Sequence, residues 1–306
     1  MASLMRNPWR YFNLAPTINV LLCSFAIRMK NWCQNIFRCL LYPPTCIAES
    51  KLRGRLEGRV CLVTGASSGI GFALASRLIA LGAEVILLSR HTEELEQMYD
   101  NESRVAIYSV DLRNREELLR TSSLIAERYP KIDYLFLNAG KSICRAIPET
   151  IERLHDYERT ISVNYLGHVA LLLALQPSLK RSGGRVIYSG SVSLLYPYAP
   201  RWSAYHASKG AMDIWLRTAK VEWHREGIKV LTAYLPLVHT PMSGANATYR
   251  NLPGYTADKA AMKLLGLSLS KVRTTYIPWW ARITAPVARL LRTPIEWIYQ
   301  RTNYAK

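Results

Sequence analysis

Acidic residues are scarce in this chain, and at its two ends they are nearly absent. The 306 residues carry 22 Asp and Glu against 40 Lys and Arg, a formal net charge of +18. No acid occurs from Met1 to Ala48, where Arg6, Arg10, Arg28, Lys30 and Arg38 stand. From Lys271 to Lys306 the only acid is Glu296, against Lys271, Arg273, Arg282, Arg289, Arg292, Arg301 and Lys306. The middle of the chain is closer to balance, so the basic excess belongs to the ends. Such ends suit an anionic membrane surface, and a basic chain also suits a phosphate-bearing cofactor. Nucleic acid is disfavoured as a partner, because no recognition module is visible.

Metal-ligand spacing is missing too. Six cysteines are present: Cys23, Cys33, Cys39 and Cys46 near the N-terminus, Cys61 in an expected strand and Cys144 just after another. None forms a C-x-x-C pair or a Cys/His cluster, which argues against zinc and against a disulfide framework. A reduced, intracellular setting fits this usage. No apolar run is long enough to cross a bilayer. The longest near the N-terminus, Ile18 to Ile27, is about half of the roughly 20 residues required. A weak anchor, an interfacial helix, a targeting peptide and a packing extension all remain open for it. No internal repeat or long low-complexity tract occurs.

Against these absences stands a regular alternation of apolar strands and helical segments. Pro43-Pro44 and the polar stretch Glu49 to Gly58 are expected to be a linker closing an N-terminal extension, residues 1–55. Residues 59–64 are an apolar strand, followed by the turn Thr64-Gly-Ala-Ser-Ser-Gly-Ile-Gly71 and a helix ended by Gly82. Further strands are expected at 84–89, 105–110, 134–137, 185–189 and 229–235, with helices between them. Buried strands separated by helices predict an α/β fold of the Rossmann type: a doubly wound parallel sheet with helices on both faces.

Two motifs carry chemistry. A glycine turn between a first strand and a helix presents backbone N–H groups at a partially positive helix end, which can receive a pyrophosphate. Gly65 allows the sharp turn, Gly69 lets a cofactor approach and Gly71 permits close helix–strand packing. Ser67, Ser68 and Ile70 lie within the same turn. The spacing is G-x-x-x-G-x-G, not the commoner G-x-G-x-x-G. Downstream, Tyr205 and Lys209 are one helical turn apart and project from one face. A fixed ammonium within a few ångströms of a phenol is expected to lower the phenol pKa.

With these motifs in this order, residues 56–266 resemble the short-chain dehydrogenase/reductase family. The resemblance rests on Thr64 to Gly71, Asp111-Leu112, Asn138-Ala139-Gly140, Asn164, the serines after the strand at Val186, and Tyr205-x-x-x-Lys209. It implies an NAD(P)-dependent oxidoreductase in which Tyr205 donates a proton to a carbonyl oxygen as hydride arrives. Lys209 then lowers the phenol pKa and bonds the nicotinamide ribose, a serine holds the substrate oxygen, and Asn164 supports a water of the proton relay. The resemblance also assigns Asp111 and Leu112 to the adenine region, Asn138, Ala139 and Gly140 to sheet and ribose, and Pro236, Val238 and Thr240 to the nicotinamide. The second strand ends in Ser89-Arg90, where an acid would select NAD(H); an arginine there can pair with a 2′-phosphate, so NADP(H) is preferred.

Two positions depart from the family pattern. The family usually places its serine thirteen residues before the tyrosine, which is Val192 here. Ser191 needs a loop one residue longer and Ser193 one residue shorter; Ser191 is chosen because it matches the second serine of the usual pair. The family commonly has Pro-Gly where Pro236-Leu237 stands, so the turn there is expected to differ.

Residues 267–306 form a basic, aromatic-rich extension expected to be helical. Its mixture of Trp, Tyr and Arg suits a membrane–water interface, and packing on the core or at an oligomer interface suits it as well. The arrangement resembles family members acting on long-chain lipids, such as ketosphingoid and fatty-acyl or mycolate-type reductases. The expectation is therefore an NADPH-dependent carbonyl reductase of a long-chain lipid, intracellular, peripherally membrane-associated and open to homo-oligomerisation. A steroid- or retinoid-type dehydrogenase, and a low-turnover NADP-binding scaffold or redox sensor, are the alternatives.

Overall fold

The computed structural model describes residues 40–301, except 44, 46, 247, 248 and 273. The chain divides into two compact units, residues 1–43 and 44–306, and everything that follows concerns the second. The apolar run Ile18 to Ile27 and Cys23, Cys33, Cys39 and Cys46 lie outside the described residues.

Glu49–Leu56, expected as linker, is instead a helix, α1. Its many charges hide a simple signal: Leu52 and Leu56, four residues apart, share one face and are buried. The alternation then proceeds as β1 Val60–Thr64, α2 Gly69–Ala80, β2 Glu84–Ser89, α3 Glu93–Tyr99, β3 Val105–Ser109, α4 Arg115–Arg128 and β4 Tyr134–Leu137. It continues with α5 Leu154–Ile161, α6 Gly167–Ser182, β5 Arg185–Ser191, α7 Ser203–Glu222 and β6 Lys229–Leu235. The remaining elements are β7 Val238–His239, α8 Pro241–Gly244, β8 Tyr255–Thr256, α9 Ala257–Ser268, β9 Thr275–Tyr276, α10 Trp279–Leu290 and α11 Arg292–Arg301.

Seven strands form one parallel sheet in the order β3-β2-β1-β4-β5-β6-β9. Its strands are apolar on both faces because helices cover both. On one side, Leu118 and Ile125 of α4, Leu171, Leu175 and Leu179 of α6, and Met212 and Leu216 of α7 close over Leu62, Ile86, Leu88, Leu135 and Val186. The alternate residues Val63, Leu87, Phe136 and Ile187 point the other way, where α2 and α9 lie against the strands. Each fully buried aliphatic side chain contributes about 1.5–3 kcal/mol, so this double-sided core makes the sheet a rigid platform.

From β1 the chain winds outward to β2 and β3, and from β4 it winds the opposite way to β5 and β6. The order reverses between β1 and β4, which opens a crevice at their C-terminal ends, the usual ligand position in open α/β sheets. The glycine turn follows β1 and Asn138-Ala139-Gly140 follows β4. Both therefore line that crevice.

Candidate active site

The turn after β1 and the turn after β4 are held together by one hydroxyl. Thr64 Oγ1 accepts the N–H groups of Asn138 (2.9 Å) and Ala139 (3.0 Å) and donates to the Phe136 carbonyl at 3.3 Å. Gly65 has φ of +68°, a backbone that side-chain-bearing residues rarely adopt. At Gly71 the demand is space: a Cβ there would stand 2.0 Å from the Gly65 carbonyl oxygen and 2.7 Å from Asn138 Nδ2. Gly69 opens α2 beside Thr240. Ser67, Ser68 and Ile70 complete a collar around the N-terminus of α2, whose first N–H groups have no carbonyl within the helix to bond.

At the outer end of the crevice, Arg90 is exposed just beyond β2 and its Nε donates to His91 Nε2 at 3.0 Å. Asp111 accepts the backbone N–H of Arg113 at 2.9 Å and pairs with its guanidinium at 2.6 Å. The Arg113 hydrogen bonds hold the Asp111 carboxyl below the usual carboxylate range. Leu112 is buried beneath it. A glycine cradle too tight for side chains, a helix N-terminus and an exposed guanidinium fit the pyrophosphate and adenosine half of a dinucleotide.

The other half of the site gathers around α7. Lys209 is buried, and its Nζ donates to the Ser189 carbonyl at 3.0 Å and lies 4.7 Å from the centre of the Tyr188 ring. Burial lowers its pKa to about 8. Gly140 comes close to the same ammonium: a Cβ there would stand 3.6 Å from Lys209 Nζ and 3.3 Å from Asn164 Oδ1. Tyr205 is half-buried and hydrogen-bonded to Ser191. Burial raises its pKa, and the Ser191 bond offsets only part of that rise. The net direction is therefore upward, opposite to the lowering expected from an ammonium alone. The two side chains do share a helix face, but the lysine tip turns inward to β5, and burial of the phenol dominates.

Asn164 sits in a single π turn, Ser162–Leu166, between α5 and α6 and is fully buried. Such turns recur at functional sites because they swing one side chain out of helical register. Its Oδ1 accepts the Lys141 N–H at 2.7 Å; its Nδ2 donates to the Lys141 carbonyl at 2.9 Å and to Ser208 Oγ at 2.8 Å. The side chain thus clamps the segment after Gly140 to α7. His168, one turn further on, approaches Thr64 Oγ1 at 3.5 Å and is held neutral, its pKa lowered by burial to about 3.

The serine cluster separates by structure. β5 continues to Ser191, two residues beyond the expected end, and Ser193 falls in a 3-10 turn, Val192–Leu195. Ser191 Oγ is 2.9 Å from Ser193 Oγ and also accepts the Ser193 N–H at 3.3 Å. Of the two, Ser191 is the one beside Tyr205. The longer connection to α7 contains Arg201 at φ of +67°, whose carbonyl accepts the Arg145 N–H at 2.6 Å. Pro236 is buried, and Leu237 adopts no left-handed φ. The Leu237 carbonyl accepts the Tyr255 N–H at 2.8 Å, which starts the small parallel sheet β7–β8 beside Val238. Thr240 caps α8 through Ser243.

Sequence reasoning missed the aromatic wall of this site. Tyr249 stacks on Trp202 with ring centres 5.4 Å apart and planes 10° from parallel. Trp202 in turn meets Tyr205 edge-on at 6.0 Å. Burial pushes the Tyr249 phenol up to about 12, with Cys144 and Tyr205 as further contributors. Trp202 precedes Tyr205 by three residues, a helical neighbour spacing that marks it; nothing in the sequence around Tyr249 does.

A dinucleotide cradle at the switch point of a parallel sheet, with a Tyr/Lys/Ser/Asn cluster at its inner end, defines a nicotinamide-dependent oxidoreductase. The family model of the short chain dehydrogenase matches residues 59–251. The chain belongs to the short-chain dehydrogenase family. A fatty acyl-CoA reductase of Acinetobacter baylyi is 38% identical over 218 residues, covering 70% of this chain and 74% of that protein. A fatty acyl-CoA reductase of Mycobacterium tuberculosis is 35% identical over 211 residues, covering 67% and 72%. Among solved structures, a short chain dehydrogenase from Burkholderia cenocepacia in complex with NADP aligns with a TM-score of 0.66 at 25% identity, over 81% of this chain and 98% of that one.

Proposed function

We propose that the protein uses NADPH to reduce a ketone or aldehyde carbonyl to an alcohol on a long-chain lipid. The observation that carries this reading is the neutral, Ser191-bonded phenol of Tyr205 set beside the apolar wall of Trp202 and Tyr249. A phenol whose pKa is raised by burial keeps its proton at neutral pH and can deliver it to a developing alkoxide. Bound NADPH would supply the hydride. Ser191 Oγ, anchored by Ser193, holds the substrate oxygen near the phenol. Lys209, fixed by the Ser189 carbonyl, offers its remaining N–H donors towards the nicotinamide ribose, and its charge favours loss of the phenolic proton as the reaction advances. Asn164 positions the Lys141 segment and Ser208 and so the floor under Lys209.

Arg90 supports NADPH over NADH, because it is the exposed cation at the end of β2. No acid stands at the end of β2, where an NAD-selective one would bond a ribose, and the Asp111 carboxylate beyond β3 is paired with Arg113. In this reading residues 56–266 carry the chemistry, with 1–55 and 267–306 as extensions. The names of the two bacterial relatives support the lipid class of substrate, and the basic ends support work at an intracellular membrane as a peripheral protein.

The test is NADPH oxidation with a panel of long-chain aldehydes, ketones and acyl thioesters, run on the wild type and Tyr205→Phe. The expected loss is about 10²- to 10⁴-fold in kcat with NADPH affinity retained. An unchanged rate in the variant would overturn the assignment of Tyr205. NADPH binding without turnover of any panel member would leave a cofactor-binding scaffold.

A further inference from the structure

Helix α10 is built inside out. Its inner face, which meets the loop after β5, is made of small residues, with Ala281 and Ala285 buried and Ala288 half-buried. Its outer face carries the large apolar ones: Ile283 is 61% exposed, Val287 47% and Leu290 84%. These three, with Trp279 one turn earlier, fall at i, i+4, i+8 and i+11, a single stripe along the helix. A surface helix ordinarily puts such residues inward, and a contiguous exposed stripe marks a contact with another phase or molecule. Arg282 and Arg289 lie along one edge of the stripe, and α11 adds exposed Trp297 and Ile298, with the Arg301 guanidinium 3.7 Å from the Trp297 ring centre.

Charge says what covers the stripe. The only acid between Lys271 and Lys306 is Glu296, and it accepts a hydrogen bond from Tyr198 at 2.5 Å. Apolar side chains rimmed by arginines, with tryptophan at the edges, match an anionic lipid surface, where each basic residue near the headgroups adds about 1 kcal/mol. The same two helices are fastened to the serine loop. Arg289 donates to the Leu195 carbonyl at 3.2 Å, Tyr196 bonds Thr284 at 2.5 Å, and Arg292 donates to the Tyr198 hydroxyl at 3.2 Å. The docking face is thereby fixed beside the loop that follows Ser191 and carries Ser193.

We propose that α10 and α11 are the surface by which this protein lies on an anionic bilayer, seating the serine side of the active site at the membrane. The proposal rests on the lipid-substrate reading above for its purpose, but not for its measurement.

The experiment is co-sedimentation of the full-length protein with vesicles of phosphatidylcholine alone and of phosphatidylcholine with phosphatidylserine, for the wild type, Ile283→Asp/Leu290→Asp and Arg282→Glu/Arg301→Glu. Circular dichroism and the NADPH-induced rise in Tm serve as fold controls, since these side chains point outward. The expected result is binding to the phosphatidylserine vesicles at least tenfold tighter than to phosphatidylcholine alone. That binding is lost in the apolar variant, cut at least fivefold in the charge variant, and weakened in about 1 M salt, where the Debye length is about 3 Å. Equal binding to both vesicles, no binding, or undiminished binding in folded variants overturns the proposal. So does a dimer in sedimentation velocity that the apolar variant dissociates, because the stripe would then be covered by a second copy. Turnover of a long-chain substrate in detergent micelles reports separately on the chemical reading.

Discussion

Replacing Lys209 by methionine should make the folded protein more stable at neutral pH while destroying its activity. The ordinary lysine value of 10.5 and the buried value of about 8 differ by about 2.5, and each pKa unit is worth about 1.4 kcal/mol. Keeping the ammonium charged in its pocket therefore costs about 3 kcal/mol at pH 7. Methionine fills nearly the same volume without that cost but forfeits the charged bond to the Ser189 carbonyl, worth about 2 kcal/mol. The net gain is about 1 kcal/mol, or about 3 °C in Tm for a domain of this size. The pH dependence has a definite sign. Between about pH 8 and 10.5 the unfolded chain holds the proton that the folded one has released, so wild-type stability rises with pH in that window. The advantage of the variant is thus full below about pH 8 and shrinks towards zero by about pH 10. Urea unfolding of both proteins at pH 7 and at about pH 10 measures it. A variant less stable than the wild type at pH 7, or a gap that does not change with pH, would refute the burial argument.

Three further outcomes follow from the same geometry. Gly71→Ala should lower stability by about 1–3 kcal/mol, the range for an overpacked site that forces the backbone to shift, and abolish the NADPH-induced rise in Tm; a variant that melts and binds normally contradicts the cradle. Arg90→Ala should weaken NADPH by about 10- to 100-fold through loss of charged hydrogen bonds of about 1.5–3 kcal/mol and leave NADH untouched, as isothermal titration would show; an equal loss for both cofactors removes the 2′-phosphate assignment. Ser191→Ala should cost about 10²-fold or more in kcat, with Ser193→Ala milder because it acts only through Ser191; the reverse order in steady-state rates would move the role to Ser193.

Much of this molecule was legible as a one-dimensional pattern. Apolar runs such as 84–89 and 134–137 mark strands buried on both faces, and the glycines at 65 and 71 mark a backbone that excludes side chains. The Tyr205/Lys209 spacing announces a shared helix face, and both residues lie on α7. Less was legible where charge masks a weak apolar signal, as with Leu52 and Leu56 of α1, expected as linker. Register in the serine loop was equally hidden, because the end of β5 depends on pairing with β6 through Ser191 and not on any local preference of Ser-Val-Ser.

Local chemistry, then, is written in short-range spacing: strand, turn, helix, and which side chains leave one helix on the same side. Environment is not. Lys209 bonds the Ser189 carbonyl, Asn164 spends its amide on Lys141 and Ser208, and Tyr249 reaches Trp202 from more than forty residues away. Each depends on which distant segment the sheet order brings alongside and on how much water that packing removes. A phenol beside an ammonium reads from the sequence as a lowered pKa; only burial, a property of the folded core, raises it instead.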